Sequence, residues 1–213
     1  VSDGPTRRQA AVKRAFDVAF AAVGLVLTSP LILLAWLAAR LDTGLGGFFR
    51  QRRIGLHGRP FDILKIRTMK PVPGWDTVVT TERDPRITRL GRFLRRSKLD
   101  ELPQFYNILV GDMSFVGPRP EVPAYIQLLA DEDRVILSVR PGLTGPATLK
   151  YRDEQRLLAG VADPERYNRE VIFPDKVRLN REYIEHYSLR RDFAYLWRTV
   201  APGSRESDER RDR

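Results

Sequence analysis

The chain of 213 residues contains no cysteine. That absence excludes disulfides, thiolate metal sites and a cysteine nucleophile together. Histidine is almost as scarce: His57 and His186 are the only two, far apart and without metal-ligand spacing, which argues against a histidine-based zinc site. Also missing are an internal repeat, a glycine-rich P-loop, a dinucleotide-binding fingerprint and an RNP motif. Acidic charge is in deficit. Lys and Arg number 37 against 27 Asp and Glu, a net charge of +10 with a pI near 10.3. Such an excess implies a polyanionic neighbour: nucleic acid, anionic lipid headgroups or phosphorylated substrates. The length suits one domain with a sizeable core, and at most a small appendage.

What the chain does have is a long apolar run. Val18 to Ala39 gives 22 consecutive residues without a charge, and a helix of that length reaches ~33 Å, enough to cross the hydrocarbon core of a bilayer. A secretory signal peptide is disfavoured, because the run is long and no small-x-small cleavage site precedes Arg40. Arg7, Arg8, Lys13 and Arg14 stand before the run, and Arg40, Arg50, Arg52 and Arg53 after it. Both flanks therefore prefer the cytoplasmic side, which a single crossing cannot satisfy and a segment that enters, turns and leaves can. Pro30 in mid-run removes a donor to the carbonyl of Val26 and crowds it, while Thr28 and Ser29 offer hydroxyls to carbonyls that no water reaches. The expectation is helix, Ser29-Pro30 break, helix.

Beyond the run, residues 46–67 read as two extended stretches around Gly55, Gly58 and Pro60, with Phe61, Ile63, Lys65 and Arg67 on one face of the second. Residues 69–84, with Pro71, Pro73 and Gly74, read as a loop open to movement. From 86 to 96, Ile87, Leu90, Phe93 and Leu94 alternate with five arginines, the pattern of an amphipathic helix suited to an anionic membrane surface or to a solvated basic face. Phe193, Leu196, Trp197 and Val200 make a second candidate interfacial helix. The charged tail from Gly203 has almost no apolar residue and is expected to be disordered.

The candidate chemistry lies in "RRSKLDELPQFYN", residues 95–107, where Asp100 and Glu101 stand side by side. Ser97 with Asp100 fits a helix capping box, so the pair admits a purely structural reading. Pro103 and Gly111 bracket a short helix, whose N-terminal partial charge, with Arg95, Arg96 and Lys98, is expected to keep both carboxylates ionised. Ionised carboxylates suit a nucleophile or a metal ligand. Downstream, Pro118 and Pro120 bracket Arg119 and preset its backbone, so the segment is either a rigid turn with a solvated arginine or a held phosphate ligand. A similar segment follows, with Arg140 before Pro141 and Gly142.

Taken in order, the apolar helix with Ser-Pro, "QRRIGLHGRPFDILKIRTM", "RRSKLDELPQFYNILVGDMSFVGPRP" and "RPGLTG" strongly resemble the bacterial sugar transferases called monotopic phosphoglycosyl transferases, over nearly residues 13 to 200. The resemblance implies an α-rich α/β membrane-associated fold, with a re-entrant helix-break-helix anchor in residues 1–45, a catalytic domain with a small β-hairpin and amphipathic interfacial helices in 46–202, and the charged tail in 203–213. It implies that Asp100 attacks the β-phosphate of a UDP-sugar, releasing UMP, and that polyprenol phosphate then takes the phosphosugar from the aspartate. Asp100 and Glu101 would also hold Mg²⁺, Glu101 serving the metal or the acceptor's proton. Arg95, Arg119, Arg140 and Lys65 would serve the phosphates, and Ser29 and Pro30 the re-entrant break. The place of action would be the inner membrane, with the catalytic domain and both termini on the cytoplasmic face.

The chain departs from that family's common pattern at Lys98, where a Ser often stands, at Pro146, where a Trp is frequent, and at Asn180, where an Asp is common. Two other classes compete. A membrane-tethered nucleic-acid binder needs stacking aromatics among its basic residues, and the basic helix offers only Phe93, so nucleic acid is not expected as a partner. A noncatalytic scaffold would lack the Asp-Glu pair, which is present.

Overall fold

The computed structural model describes residues 4–75, 77 and 79–201; the tail expected to be disordered lies outside them. Helix α1 runs Arg7–Thr43, 37 residues. Its start is closed by a reciprocal cap, Gln9 N donating to Thr6 Oγ1 and Thr6 N to Gln9 Oε1, and Gly44 ends it in the left-handed conformation at φ 70°. The expected break at Ser29-Pro30 is not an interruption, because the helix continues through Pro30. The reason is local. Pro30 leaves the carbonyl of Val26 without its backbone donor, and the Ser29 hydroxyl donates to that oxygen at 2.9 Å, while Thr28 Oγ1 donates to Gly24 O at 2.7 Å.

One side of α1 is lined with small residues and packs on the rest of the molecule. Ala21 meets Phe61, Ile63, Ile108 and Met113; Ala35 and Ala39 meet Ile66 and Leu94. A Cβ on Gly24 would come within 2.8 Å of the Phe105 ring, so only glycine permits that approach. The other side exposes Val26, Leu27, Leu33, Leu34 and Leu41. The helix is long and apolar enough to cross a membrane, by length and composition.

Strands β1 (Phe48–Ile54) and β2 (Pro60–Ile66) form the expected antiparallel hairpin, in register from Phe48 opposite Ile66 to Ile54 opposite Pro60. Phe61 and Ile63 point inward as the period of two requires. Arg67 turns back instead onto the carbonyls of Gly46 and Phe48. The described residues of 69–84 are irregular, as composition predicts, yet they are tied down: Met69 bridges to Ile87, Arg86 donates to Thr77 O, and Val79 is buried against Leu158 and Ile172. Helix α2 spans Arg89–Arg96, capped by Thr88, whose hydroxyl accepts from Gly91 N at 2.8 Å. Ile87 and Leu94 are buried, while Arg89, Arg92, Phe93 and Arg96 face outward.

After α3 (Gln104–Val110), strand β3 (Ser114–Val116) pairs in parallel with β4 (Gly142–Thr144). The two proline-arginine segments noted in the sequence therefore lie side by side: Gly142 N donates to Pro118 O at 2.7 Å and Gly117 N to Thr144 O at 2.9 Å. Short helices α4 (Pro123–Ile126), α5 (Pro146–Lys150), α6 (Glu154–Ala159) and α7 (Pro164–Tyr167) lead to α8 (Phe173–Glu185) and α9 (Leu189–Val200). Phe173, Val177, Tyr183 and Ile184 of α8 join Val116 in the second core. Lys13 of α1 reaches buried Asp192 of α9 at 2.5 Å, and the Tyr183 hydroxyl donates to the same carboxylate at 2.7 Å. Phe193, Trp197 and Val200 remain exposed on the outer face of α9, as its periodicity anticipates.

Candidate active site

Seven residues, 97–103, join α2 to α3 in tight turns: Lys98 takes the left-handed conformation at φ 59° and a 3₁₀ turn follows over Leu99–Glu101. Ser97 does not cap the following helix. Its hydroxyl donates back to Phe93 O at 2.9 Å, so it closes α2, and the capping-box reading fails. Helix α3 itself begins and ends where Pro103 and Gly111 predict, with Gly111 at φ 101°.

Asp100 is buried, 7% exposed, and its Oδ1 has no hydrogen-bond partner among the described residues. Glu101 is held on one oxygen: Lys65 Nζ of β2 donates to Oε1 at 2.8 Å and Arg119 to the same atom at 3.1 Å. The two carboxylates consequently part company. The charges of Lys65, Arg119 and Lys98 outweigh burial and hold Glu101 well below the usual carboxylate range. Burial, with the adjacent Glu101, pushes Asp100 up, against the opposing pull of Lys65, Arg95 and Lys98. Only Glu101 thus follows the expectation of a favoured ionised form. Asp100 is the more basic and the less hydrogen-bonded of the pair, both properties that suit a nucleophile.

Of the remaining candidates, Arg95 lies within electrostatic reach of Asp100, its Nε donating to Thr68 Oγ1 at 2.8 Å and its Nη2 directed to Met69 Sδ. Arg119 and Lys65 meet at Glu101, as just described. Arg140 is not brought to this cluster: its Nε donates to Gly111 O at 2.8 Å, at the opposite end of α3. There it stands near Arg14, which donates to the carbonyls of Ile108 and Leu109. These two arginines satisfy and offset the helix C-terminus.

Two residues that the motif reading passed over also shape the site. Asn107 of α3 bonds both ways with the edge of β2, Leu64 N donating to its Oδ1 at 3.0 Å and its Nδ2 to Asp62 O at 2.9 Å. This docks the strand that carries Lys65 onto the helix that follows the acidic pair. Arg53 of β1 donates to Pro120 O at 3.1 Å and so grips the loop that carries Arg119. The hairpin register contained the signal: Arg52 faces out to Asp62, and the period of two turns Arg53 in.

The donor set fits a hard divalent cation. Asp100 Oδ1 is an unpaired buried oxygen, Glu101 bears its two cations on Oε1 alone, and no cluster of three or more His, Cys, Asp or Glu exists among the described residues. Such a pair of carboxylates matches Mg²⁺ that takes its other ligands from phosphate oxygens and water.

The sequence profile of the bacterial sugar transferases matches residues 8–205. The chain belongs to the bacterial sugar transferase family. Curated relatives in this family include the UDP-glucose:undecaprenyl-phosphate glucose-1-phosphate transferase of Caulobacter vibrioides, 42% identical over 192 residues, which cover 88% of this chain and 68% of the relative. The protein of the same name in Escherichia coli K12 is 38% identical over 198 residues, 90% of this chain but 40% of its own length. The exopolysaccharide production protein ExoY of Sinorhizobium fredii is 34% identical, with 88% and 83% covered. As a bacterial sugar transferase, the chain is a phosphoglycosyl transferase enzyme.

Proposed function

We propose that this enzyme transfers a sugar 1-phosphate from a UDP-sugar to polyprenol phosphate in two displacements at Asp100. In the first, an Asp100 carboxylate oxygen bonds to the β-phosphorus, the bond from that phosphorus to the oxygen bridging to the α-phosphate breaks, and UMP departs with the electron pair. In the second, a phosphate oxygen of the lipid bonds to the same phosphorus and the aspartyl oxygen leaves, giving the polyprenyl diphosphosugar. One carboxylate thus serves two phosphates in turn. Glu101, held by Lys65 and Arg119, orients those cations toward the oxygens on which charge develops. Mg²⁺ bound by Asp100 and Glu101 would offset the charge of the phosphates.

The observation that carries this reading is the buried, unpartnered Oδ1 of Asp100 within a ring of cations, one residue beyond Leu99. In support, Leu99 packs against the cluster that Ala35 and Ala39 of the apolar helix form with Ile66 and Leu94, next to the acidic pair. The relatives named above supply the class of donor and acceptor. The test is UMP release from UDP-sugars in the presence of Mg²⁺ and polyprenol phosphate, with radiolabel from the sugar retained on the protein when the lipid is withheld. Asp100→Asn is expected to abolish both, and an active Asn variant sinks the assignment.

The same reading includes an anchor that enters and leaves on the cytoplasmic face of the inner membrane, its turn made by a bend at Pro30 within the continuous α1 and not by a break. In its support, both halves of α1 rest on one domain, Ala21 near β2 and α3 and Ala39 near Ile66 and Leu94, whereas the ends of a crossing helix stand ~30 Å apart on opposite sides. The positive flanks agree. Because the chain has no cysteine, single cysteines at both ends of the apolar run report topology cleanly. Labelling from the same side in oriented vesicles is expected, and labelling from opposite sides means a crossing.

A further inference from the structure

Lys98 is one of two non-glycine residues with positive φ among the described residues, the other being His57 in the hairpin loop. A lysine in that conformation is backbone-strained, and such residues gather at functional sites. It opens the 3₁₀ turn of the acidic pair, with Glu101 N donating to its carbonyl at 3.2 Å. The left-handed backbone leaves its side chain exposed. The other cations of the site have side-chain partners: Lys65 and Arg119 on Glu101, Arg95 on Thr68 and Met69, and Arg53, through its two Nη atoms, on Pro120 O and Gln51, its Nε alone being without one. The side chain of Lys98 makes no hydrogen bond or ion pair among the described residues. Its charge is nevertheless felt by both Asp100 and Glu101.

Its surroundings separate the two phosphate substrates. The nucleotide donor is water-soluble, while the acceptor phosphate is tethered to an apolar chain and must approach from the bilayer. Lys98 directly follows α2, whose outer face exposes Phe93 among Arg89, Arg92 and Arg96. On its other side, Leu99 packs against the cluster that Ala35 and Ala39 of the apolar helix form with Ile66 and Leu94. Among the described residues, Lys98 is thus an exposed cation of the site without an ion pair, set between the basic outer face of α2 and the apolar helix.

Resting on the transfer reaction proposed above, we propose that Lys98 is the receiving cation for the phosphate monoester of the lipid acceptor, and that its left-handed backbone keeps the ammonium outside the ion pairs of the acidic pair. An ammonium with three rotatable donors suits a ligand that must bind, react and leave as a diphosphate.

The experiment compares wild type with Lys98→Gln, Lys98→Asn and Lys98→Arg. Losing one charge-assisted contact made in ground and transition states alike raises KM for polyprenol phosphate by about tenfold. KM for the UDP-sugar should stay within about twofold in both neutral variants. Asn tolerates positive φ, so its variant isolates charge from backbone; Arg keeps the charge and should restore the acceptor KM. An unmoved acceptor KM, a donor KM that rises in step, or an Asn variant that behaves as wild type overturns the proposal. A second arm reads binding alone, by co-flotation with phosphatidylcholine vesicles with and without polyprenyl phosphate, and with phosphatidylglycerol. Selective loss of the polyprenyl-phosphate increment in Lys98→Gln supports the proposal, and equal loss on phosphatidylglycerol makes Lys98 a general headgroup contact and overturns it. If wild type releases no UMP yet this selective loss persists, the transfer reading fails while the phosphate site stands.

Discussion

Lys65 and Glu101 are 36 positions apart in the chain and meet at 2.8 Å, the lysine Nζ on the same carboxylate oxygen that receives Arg119. That shared oxygen divides the labour of the acidic pair. Glu101 is neutralised by two cations and stays ionised, whereas Asp100 keeps a bare oxygen in a buried setting and a raised pKa.

The pH profile should show this division. Asp100 must be ionised to attack, and its pKa lies above the ordinary 3.8, so UMP release is expected to fall on the acid side at a pH above that value. Lys65 favours the ionised form of Asp100. Lys65→Met should therefore move the acid limb to higher pH, measured as kcat/KM at fixed saturating Mg²⁺. A limb that shifts down contradicts the electrostatic account.

Glu101→Gln leaves the ammonium of Lys65 without its carboxylate at a site where both side chains are more than four-fifths buried. Breaking such a pair costs about 3 kcal/mol or more, seen as a lower urea midpoint in detergent. Glu101 has a folded pKa below the ordinary 4.5, so its contribution is complete above that value and lost as pH falls through the folded pKa. The gap between wild type and variant should hold at neutral pH and close only in stronger acid. Adding Lys65→Met to Glu101→Gln should recover part of the loss.

Asn107→Ala removes both partners from the edge of β2, the Leu64 amide and the Asp62 carbonyl. Each buried group left unpaired costs about 1–3 kcal/mol. Hydrogen exchange at Leu64 should accelerate, and UMP release should drop because Lys65 rides on the same strand. Unchanged protection at Leu64 would show that β2 is held by its hairpin partner alone.

Gly142→Ala sets a methyl group 2.1 Å from Gly117 N, against backbone that cannot yield without moving the adjoining Pro118–Pro120 segment. Loss of Arg119 from its position against Glu101 is the expected consequence, with kcat/KM falling at least about a hundredfold. A folded variant with wild-type kcat/KM would show that Arg119 is placed independently of β4.

Sequence periodicity and local chemistry are enough to read the apolar helix, the hairpin, the amphipathic α2 and α9, and the short helix between Pro103 and Gly111, because each depends on neighbours within a few residues. Motif, charge and resemblance singled out the acidic pair, Arg95, Arg119 and Lys65, and the fold brings these charges together. The same local logic failed where a longer contact intervened. Ser97 fits a capping box until its hydroxyl turns back to Phe93; Arg140, which the family resemblance sets among the phosphate ligands, has its Nε on Gly111 O at the far end of α3.

By itself, then, the amino-acid sequence determined the element types, the absence of thiol chemistry, and the cluster of charge around Asp100 and Glu101. Only the tertiary structure decided how those charges are shared. Lys65 and Arg119 come to Glu101 from β2 and from a proline-braced loop that Arg53 of β1 grips, and their meeting on one oxygen depends on hairpin register and on the glycine contact of β3 with β4. Burial and distance set the direction of each pKa, and neither is a property of the chain's local sequence.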